Sequence, residues 1–229
     1  MPVKAIITGS TGMIGEGVIH ECLNHPKVES ILVINRKSCG VEHPKVKEII
    51  HNDFSDFSSI EDELKGYNTG YLIMGVSAAG MSEDRYTHLT YDLTMALARP
   101  LKKLNPEMTI CYVSGAGTDS SEKGRMMWAR VKGKTENNLL NMGFKQAYMF
   151  RPGFLEPTPG LKNSAKFYKY LKPVTPILRR LFPKYVSSLK EIGLAMIHVA
   201  IEGSHRQILE VRDIRNLAKE QLTGVDSSL

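Results

Sequence analysis

Three glycines spaced three apart directly behind an apolar run constrain this chain more than any other feature. Ala5-Ile6-Ile7 runs into Thr8-Gly9-Ser10-Thr11-Gly12-Met13-Ile14-Gly15. A helical pattern then runs to about Asn24, where Pro26 forbids continuation. A strand that must stop tightly and pass at once into a helix packed close to a sheet needs side-chain-free positions at the turn. Gly9, Gly12 and Gly15 supply them. The spacing is G-x-x-G-x-x-G rather than G-x-G-x-x-G, so the strand–turn–helix context carries the argument more than the glycine count does. Backbone amides bared at the start of such a helix suit the oxygens of a pyrophosphate, with Ser10, Thr11, Met13 and Ile14 completing the turn.

The rest of the chain repeats the alternation. Short β-branched runs at Val3–Thr8, Ser30–Asn35, Val46–Ile50, Gly70–Gly75, Met108–Ser114 and Gln146–Arg151 read as buried parallel strands. Helical spacing fills the gaps at about Glu83–Arg99 and Arg125–Met142, the latter closed by Gly143. After Arg151 six prolines break a segment that cannot be one element. A helix over Ser187–Glu202, a strand at Gln207–Val211 and a helix over Asp213–Gln221 follow. The pattern predicts one α/β domain over 1–229, a doubly wound parallel sheet with a small C-terminal helical extension.

Charge and cysteine usage narrow the partners. The net charge of +6 comes from one place: 161–190 holds eight Lys and Arg and no acid, which leaves the remainder at −2. No nucleic-acid module accompanies this basicity, so no nucleic-acid partner is expected. Residues 152–190 read as a basic lid on the substrate side, favouring an anionic small molecule. Alternatively, 162–190 could be a membrane-surface or protein-docking face, or helices with solvated cations; a homodimer is also open. Three cysteines (Cys22, Cys39, Cys111) at wide spacing, with no secretory leader pattern, predict reduced thiols and a cytoplasmic location. His20-Glu21-Cys22-Leu23-Asn24-His25 spreads around a helix rather than converging, so no metal site is expected.

The second strand ends in Asn35-Arg36-Lys37, where an NAD site would usually carry an acid for the ribose 2′-OH. Two cations there suit a 2′-phosphate, so NADP is expected, with NAD as the alternative. Asp53, beyond the third strand, is placed either to accept from the adenine amino group or to cap its own turn.

These motifs, with Tyr112-Val113-Ser114-Gly115-Ala116, Val131-Lys132-Gly133-Lys134 and Phe150-Arg151-Pro152-Gly153, resemble the atypical short-chain dehydrogenase/reductase superfamily. Within it the chain looks most like the small NAD(P)-binding branch related to the Tat-interacting tumour suppressor. A more distant likeness is to nitrogen-metabolite-repression regulators. The resemblance implies a Rossmann sheet in the order 3-2-1-4-5-6. It also implies cofactor contacts at Gly75, Val76 and Ser77 beside the nicotinamide ribose, and at Arg151, Pro152 and Gly153 near the carboxamide. Family enzymes act through Ser, Tyr and Lys, the lysine charge lowering a phenol pKa from about 10 so that it moves a proton with the hydride. Ser114 and Lys132 match as catalytic residues, and Lys132 could also bond the ribose. The tyrosine position, however, holds Trp128, whose indole N–H only donates. The expected function is therefore an NADP-dependent oxidoreductase on a small carbonyl or alcohol, or a related epimerase-like enzyme, with Tyr91 or His88 as substitute proton carriers. The alternative is a catalytically silent NADP(H)-binding sensor or scaffold.

Overall fold

The computed structural model describes residues 1–156, 158, 160–161 and 185–226. Seven parallel strands form one sheet: β1 (Val3–Thr8), β2 (Val28–Asn35), β3 (Val46–Ile50), β4 (Thr69–Leu72), β5 (Thr109–Val113), β6 (Gln146–Arg151) and β9 (Ile208–Glu210), in the order β3-β2-β1-β4-β5-β6-β9. This is the expected 3-2-1-4-5-6 arrangement with one strand added at the β6 edge. A separate parallel pair, β7 (Phe154–Glu156) with β8 (Val186–Ser188), lies beyond β6 and was not foreseen. Three-residue strands are too short for alternation to register.

Alternating side chains divide the core between the two faces of the sheet. Ala5, Ile7, Val33, Tyr71, Cys111 and Phe150 face one side. There they meet α1 (Met13–Asn24), α5 (Leu189–Ile201) and α6 (Val211–Asp226). Ile6, Leu32, Leu72, Ile110, Tyr112 and Met149 face the other side, against α3 (Leu93–Leu104), α4 (Met127–Asn141) and a 3-10 turn at Ser58–Leu64. Both layers are apolar, so the inner strands β1, β2, β4 and β5 are buried along most of their length, whereas the edge strand β3 is only partly buried.

The helix after β4 is composite: α2 (Glu83–Thr87), a π-helical turn (His88–Asp92) and then α3. It continues to Leu104, past the expected end at Arg99, and passes through Pro100 with one backbone donor missing. Leu89 of the widened turn and Leu93 just beyond it line the cleft described below. Helix α5 starts from Ser188, not Ser187. The Ser188 hydroxyl accepts from the Glu191 amide at 3.1 Å while the Glu191 carboxylate accepts from the Ser188 amide at 2.8 Å, a closed capping box. No helix among the described residues is long and apolar enough to cross a membrane. The basic segment assigned to a lid or docking face lies, over 162–184, outside the described residues.

Candidate dinucleotide site

The strands β1, β2 and β4 end together at the point where the sheet order reverses. There they border a cleft of about 770 Å³. Gly9 bends the chain with φ +75°, and a β-carbon on it would stand 2.7 Å from the Ile73 carbonyl group. At Gly15 a β-carbon would stand 2.2 Å from the Gly9 carbonyl oxygen. The turn is therefore pressed against both the neighbouring strand and its own helix. Gly12 caps α1 with no side chain bonded to the helix amides. Those donors are presented to the cleft beside Thr11 and Gly12, which line it. The arrangement fits a dinucleotide pyrophosphate: the backbone approach is open and a side chain at Gly9 or Gly15 would close it. Replacing Gly15 by Ala is expected to destabilise the fold by about 2 kcal/mol and to abolish nucleotide binding. Thermal melting combined with NADPH titration would check this, and unchanged binding would contradict it.

Asn35, Arg36, Lys37 and Ser38 form the cleft wall where β2 ends. Arg36 and Lys37 are exposed and make no ion pair with the described residues. Behind them is an acid that the sequence did not signal. Glu48, on β3, accepts from the Ser38 hydroxyl at 2.5 Å, the Cys39 amide at 2.8 Å and the Asn35 side-chain amide at 3.2 Å. Asn35 also donates to the Ser10 hydroxyl at 2.5 Å, which joins this corner to the glycine turn. Burial works against the Glu48 charge, but the Ser38 and Cys39 hydrogen bonds outweigh it and hold the carboxyl below its ordinary pKa. Asp53 is turned into its own loop, accepting from the Ser55 amide at 2.9 Å and the Ser55 hydroxyl at 2.5 Å, while Asn52 and Phe54 line the cleft.

At the far end, Gly75 and Val76 line the cleft, whereas the exposed Ser77 accepts from the Ala79 amide. One strand over, Ser114 is buried. Its hydroxyl donates to the fully buried Glu136 carboxylate and its amide donates to the Phe150 carbonyl. Arg151 holds Glu136 with two guanidinium nitrogens and also reaches Glu210 at 3.3 Å and the Ser120 hydroxyl at 2.6 Å. Arg151 and the Ser114 hydroxyl thus belong to one buried polar cluster. Pro152 bonds Ala116 through its carbonyl, and Gly153 passes so close to Tyr185 that a β-carbon would meet its carbonyl oxygen at 2.2 Å. Glu136 could have been found from the sequence, because it stands one helical turn beyond Lys132.

Lys132 donates to the Ser114 carbonyl oxygen. Burial pushes its ammonium down to about 8, opposed by the charge of Glu136. Trp128, one turn earlier on α4, lies over Gly117, 3.4 Å from where a β-carbon there would stand. The two proposed substitutes are turned elsewhere. Tyr91 donates to Asn138 at 3.2 Å and its ring lies 4.4 Å under the Lys134 ammonium, on a different face of α4. His88 pairs with Asp92 at 3.4 Å in solvent. All three cysteines are free thiols, and no metal-binding cluster occurs among the described residues.

A glycine turn feeding a helix, a cleft at the reversal of a parallel sheet and a buried lysine beyond β5 define a short-chain-dehydrogenase-like nicotinamide-dinucleotide-binding Rossmann protein. A family model for the NAD dependent epimerase/dehydratase family matches residues 5–124, and the chain belongs to that family. Among curated relatives it is 26% identical to Protein FMP52-2, mitochondrial, of Scheffersomyces stipitis, over 96% of this chain and 100% of that one. It is 24% identical to Protein FMP52, mitochondrial, of Saccharomyces cerevisiae, over 94% and 96%. Among solved structures, a short-chain dehydrogenase/reductase family oxidoreductase from Burkholderia thailandensis superposes with a TM-score of 0.66 at 14% identity, covering 88% of this chain and 86% of that one. ADP-L-glycero-D-manno-heptose-6-epimerase of Helicobacter pylori superposes with 0.64 at 14% identity, over 96% and 82%. These likenesses are of fold.

The relatives correct one expectation. They are named mitochondrial, against the cytoplasmic location read from the thiols and the N-terminal residues. Free cysteines argue against an oxidising compartment but do not distinguish one reducing compartment from another.

Proposed function

We propose that this protein binds NADP(H) and serves as an oxidoreductase on a small carbonyl or alcohol. The observation that carries the cofactor preference is the wall at the end of β2. Arg36 and Lys37 make no ion pair with the described residues and line the cleft, while the carboxylate behind them, Glu48, already accepts three hydrogen bonds and Asp53 is engaged by Ser55. An adenosine 2′-phosphate would meet two cations there, whereas a ribose hydroxyl would meet a carboxylate already engaged by Asn35, Ser38 and Cys39. Arg36→Ala is expected to weaken NADPH binding about 10- to 100-fold, the usual worth of a charge-assisted phosphate contact, and to leave NADH binding unchanged. Calorimetric titration reads both. Equal effects on the two nucleotides would remove Arg36 from phosphate recognition.

When bound, the nicotinamide supplies or receives a hydride at the substrate carbon. Among this chain's own groups, Lys132 is best suited to the accompanying proton. Register sets Leu72 beside Tyr112, so Ile73–Gly75 at the cleft and Ser114, which holds the Lys132 amine, leave the sheet as neighbours. In reduction, Lys132 would give its proton to the carbonyl oxygen as the C–H bond forms and recover one from solvent. An amine titrating near 8 does this readily at neutral pH.

A second reading, a silent NADP(H)-binding sensor, is favoured by Trp128 at the tyrosine position and by the Ser114 hydroxyl turned to Glu136. A screen of aldehydes and ketones for NADPH consumption separates the two. Turnover that disappears in Lys132→Met supports the enzyme. Tight NADPH binding with no turnover in any class supports the sensor.

A further inference from the structure

We infer that Glu48 is the positioning residue that sets cofactor choice, acting as a latch on the turn that carries Arg36 and Lys37. The inference rests on the NADP(H) reading above. Glu48 comes from β3 and does not line the cleft, yet it collects donors from three residues of the turn after β2: Asn35, Ser38 and Cys39. These bracket Arg36 and Lys37 on both sides, so the backbone presenting the two cations is fixed at each end by one carboxylate. The Ser38 hydroxyl is held in turn by the Gly40 amide at 3.0 Å, and Asn35 is held by Ser10 of the glycine turn at 2.5 Å. The corner is therefore built before any nucleotide arrives, which lowers the ordering cost of binding.

The same bonds mask the acid. A carboxylate at the end of β2 would ordinarily favour NAD by accepting from the ribose 2′-OH. Here Ser38 and Asn35, both on the cleft wall, stand between Glu48 and the cleft and occupy its oxygens. One residue thus disfavours NAD by having no free acceptor and favours NADP by holding the cations in place.

The test is calorimetric titration of NADPH and NADH into the wild-type protein and three variants. In Glu48→Ala the turn is released, and NADPH affinity is expected to fall about tenfold with NADH affinity within about twofold of wild type. In Glu48→Gln the carbonyl oxygen can still accept from the Cys39 amide and the Asn35 side chain, while the amide nitrogen donates to the Ser38 hydroxyl instead of accepting from it, and the NADPH preference is expected to survive. In Ser38→Ala, which removes the hydroxyl bonded to Glu48 and to the Gly40 amide but leaves the Asn35 and Cys39 bonds to Glu48, one Glu48 oxygen is uncovered and NADH affinity is expected to rise several-fold. The ratio therefore shifts toward NADH in Glu48→Ala and Ser38→Ala, through opposite cofactors. A loss in Glu48→Ala that is equal for both nucleotides would reduce Glu48 to a structural residue and overturn the latch, as would a ratio unmoved in both of those variants. Should Glu48→Ala not fold, Ser38→Ala alone decides. A wild-type protein that does not distinguish the nucleotides would instead overturn the NADP(H) reading on which the latch rests, a failure visible before any variant is measured.

Discussion

Glu136→Ala is expected to lose about 3–5 kcal/mol of stability, enough to leave much of the protein unfolded or aggregated at ambient temperature. Glu136 is fully buried, and its carboxylate accepts from the Ser114 hydroxyl and from two nitrogens of Arg151. Removing it strands a guanidinium whose side chain is only 10% exposed, with the half-exposed Glu210 and the Ser120 hydroxyl as its remaining partners. The cost comes from the unpaired buried charge more than from the lost attraction. Replacing both partners with apolar side chains of similar size, Glu136→Leu with Arg151→Met, is therefore expected to recover most of the loss. Urea denaturation of the single and double variants checks this. A double variant as unstable as the single would show that the pair itself, and not the stranded charge, holds the ends of β5 and β6.

Lys132→Met is expected to act in the opposite direction, stabilising the protein by about 2 kcal/mol at pH 7. The Lys132 ammonium titrates at about 8 in the fold instead of its ordinary 10.5, because burial disfavours its charge. Below pH 8 the amine is charged in both the folded and unfolded states, and the fold bears the full cost, about 3 kcal/mol for a displacement of that size. As pH rises from 8 to 10.5 the folded protein releases its proton before the unfolded chain does, so wild-type stability increases. Above 10.5 both are neutral and the penalty is gone. Methionine removes the penalty throughout but leaves the Ser114 carbonyl without its donor, which returns about 1 kcal/mol. The advantage of the variant should therefore be largest below pH 8, disappear at about pH 10 and reverse to a deficit of about 1 kcal/mol above 10.5, where only the lost hydrogen bond remains. A variant less stable than wild type at pH 7 would show that Lys132 is structural.

Legibility in the sequence followed the physics of each element. Strands β1, β3 and β6 appear within the bounds read from their β-branched runs: β1 and β6 are buried along nearly their whole length, while the edge strand β3 shows itself through Val46, Ile49 and Ile50. The first helix was equally plain, since Gly12 and Pro26 mark its limits. Helix α3 extends past Arg99 because packing of Leu101 and Leu104 on the sheet outweighs the donor lost at Pro100. The 3-10 turn and the β7–β8 pair are too short for any periodicity.

At the site, the glycine turn and the paired cations were visible because local spacing alone encodes them. Glu48 was not, because its partners lie on the neighbouring strand end and β3 shows it only as one polar residue among Val46-Lys47-Glu48-Ile49-Ile50. The involvement of Arg151 with Glu136 was hidden for the same reason: fifteen residues separate them, and only the adjacency of β6 and α4 brings them together. A resemblance can name a residue's position but not the partner that engages it.

The account stands on the glycine turn holding a dinucleotide at the start of α1, and titration of NADPH into the purified wild-type chain tests this most directly. Saturable binding of one NADPH per chain, tighter than NADH by about tenfold or more, is the predicted result. Absence of heat and of any thermal stabilisation with either nucleotide at millimolar concentration would contradict it.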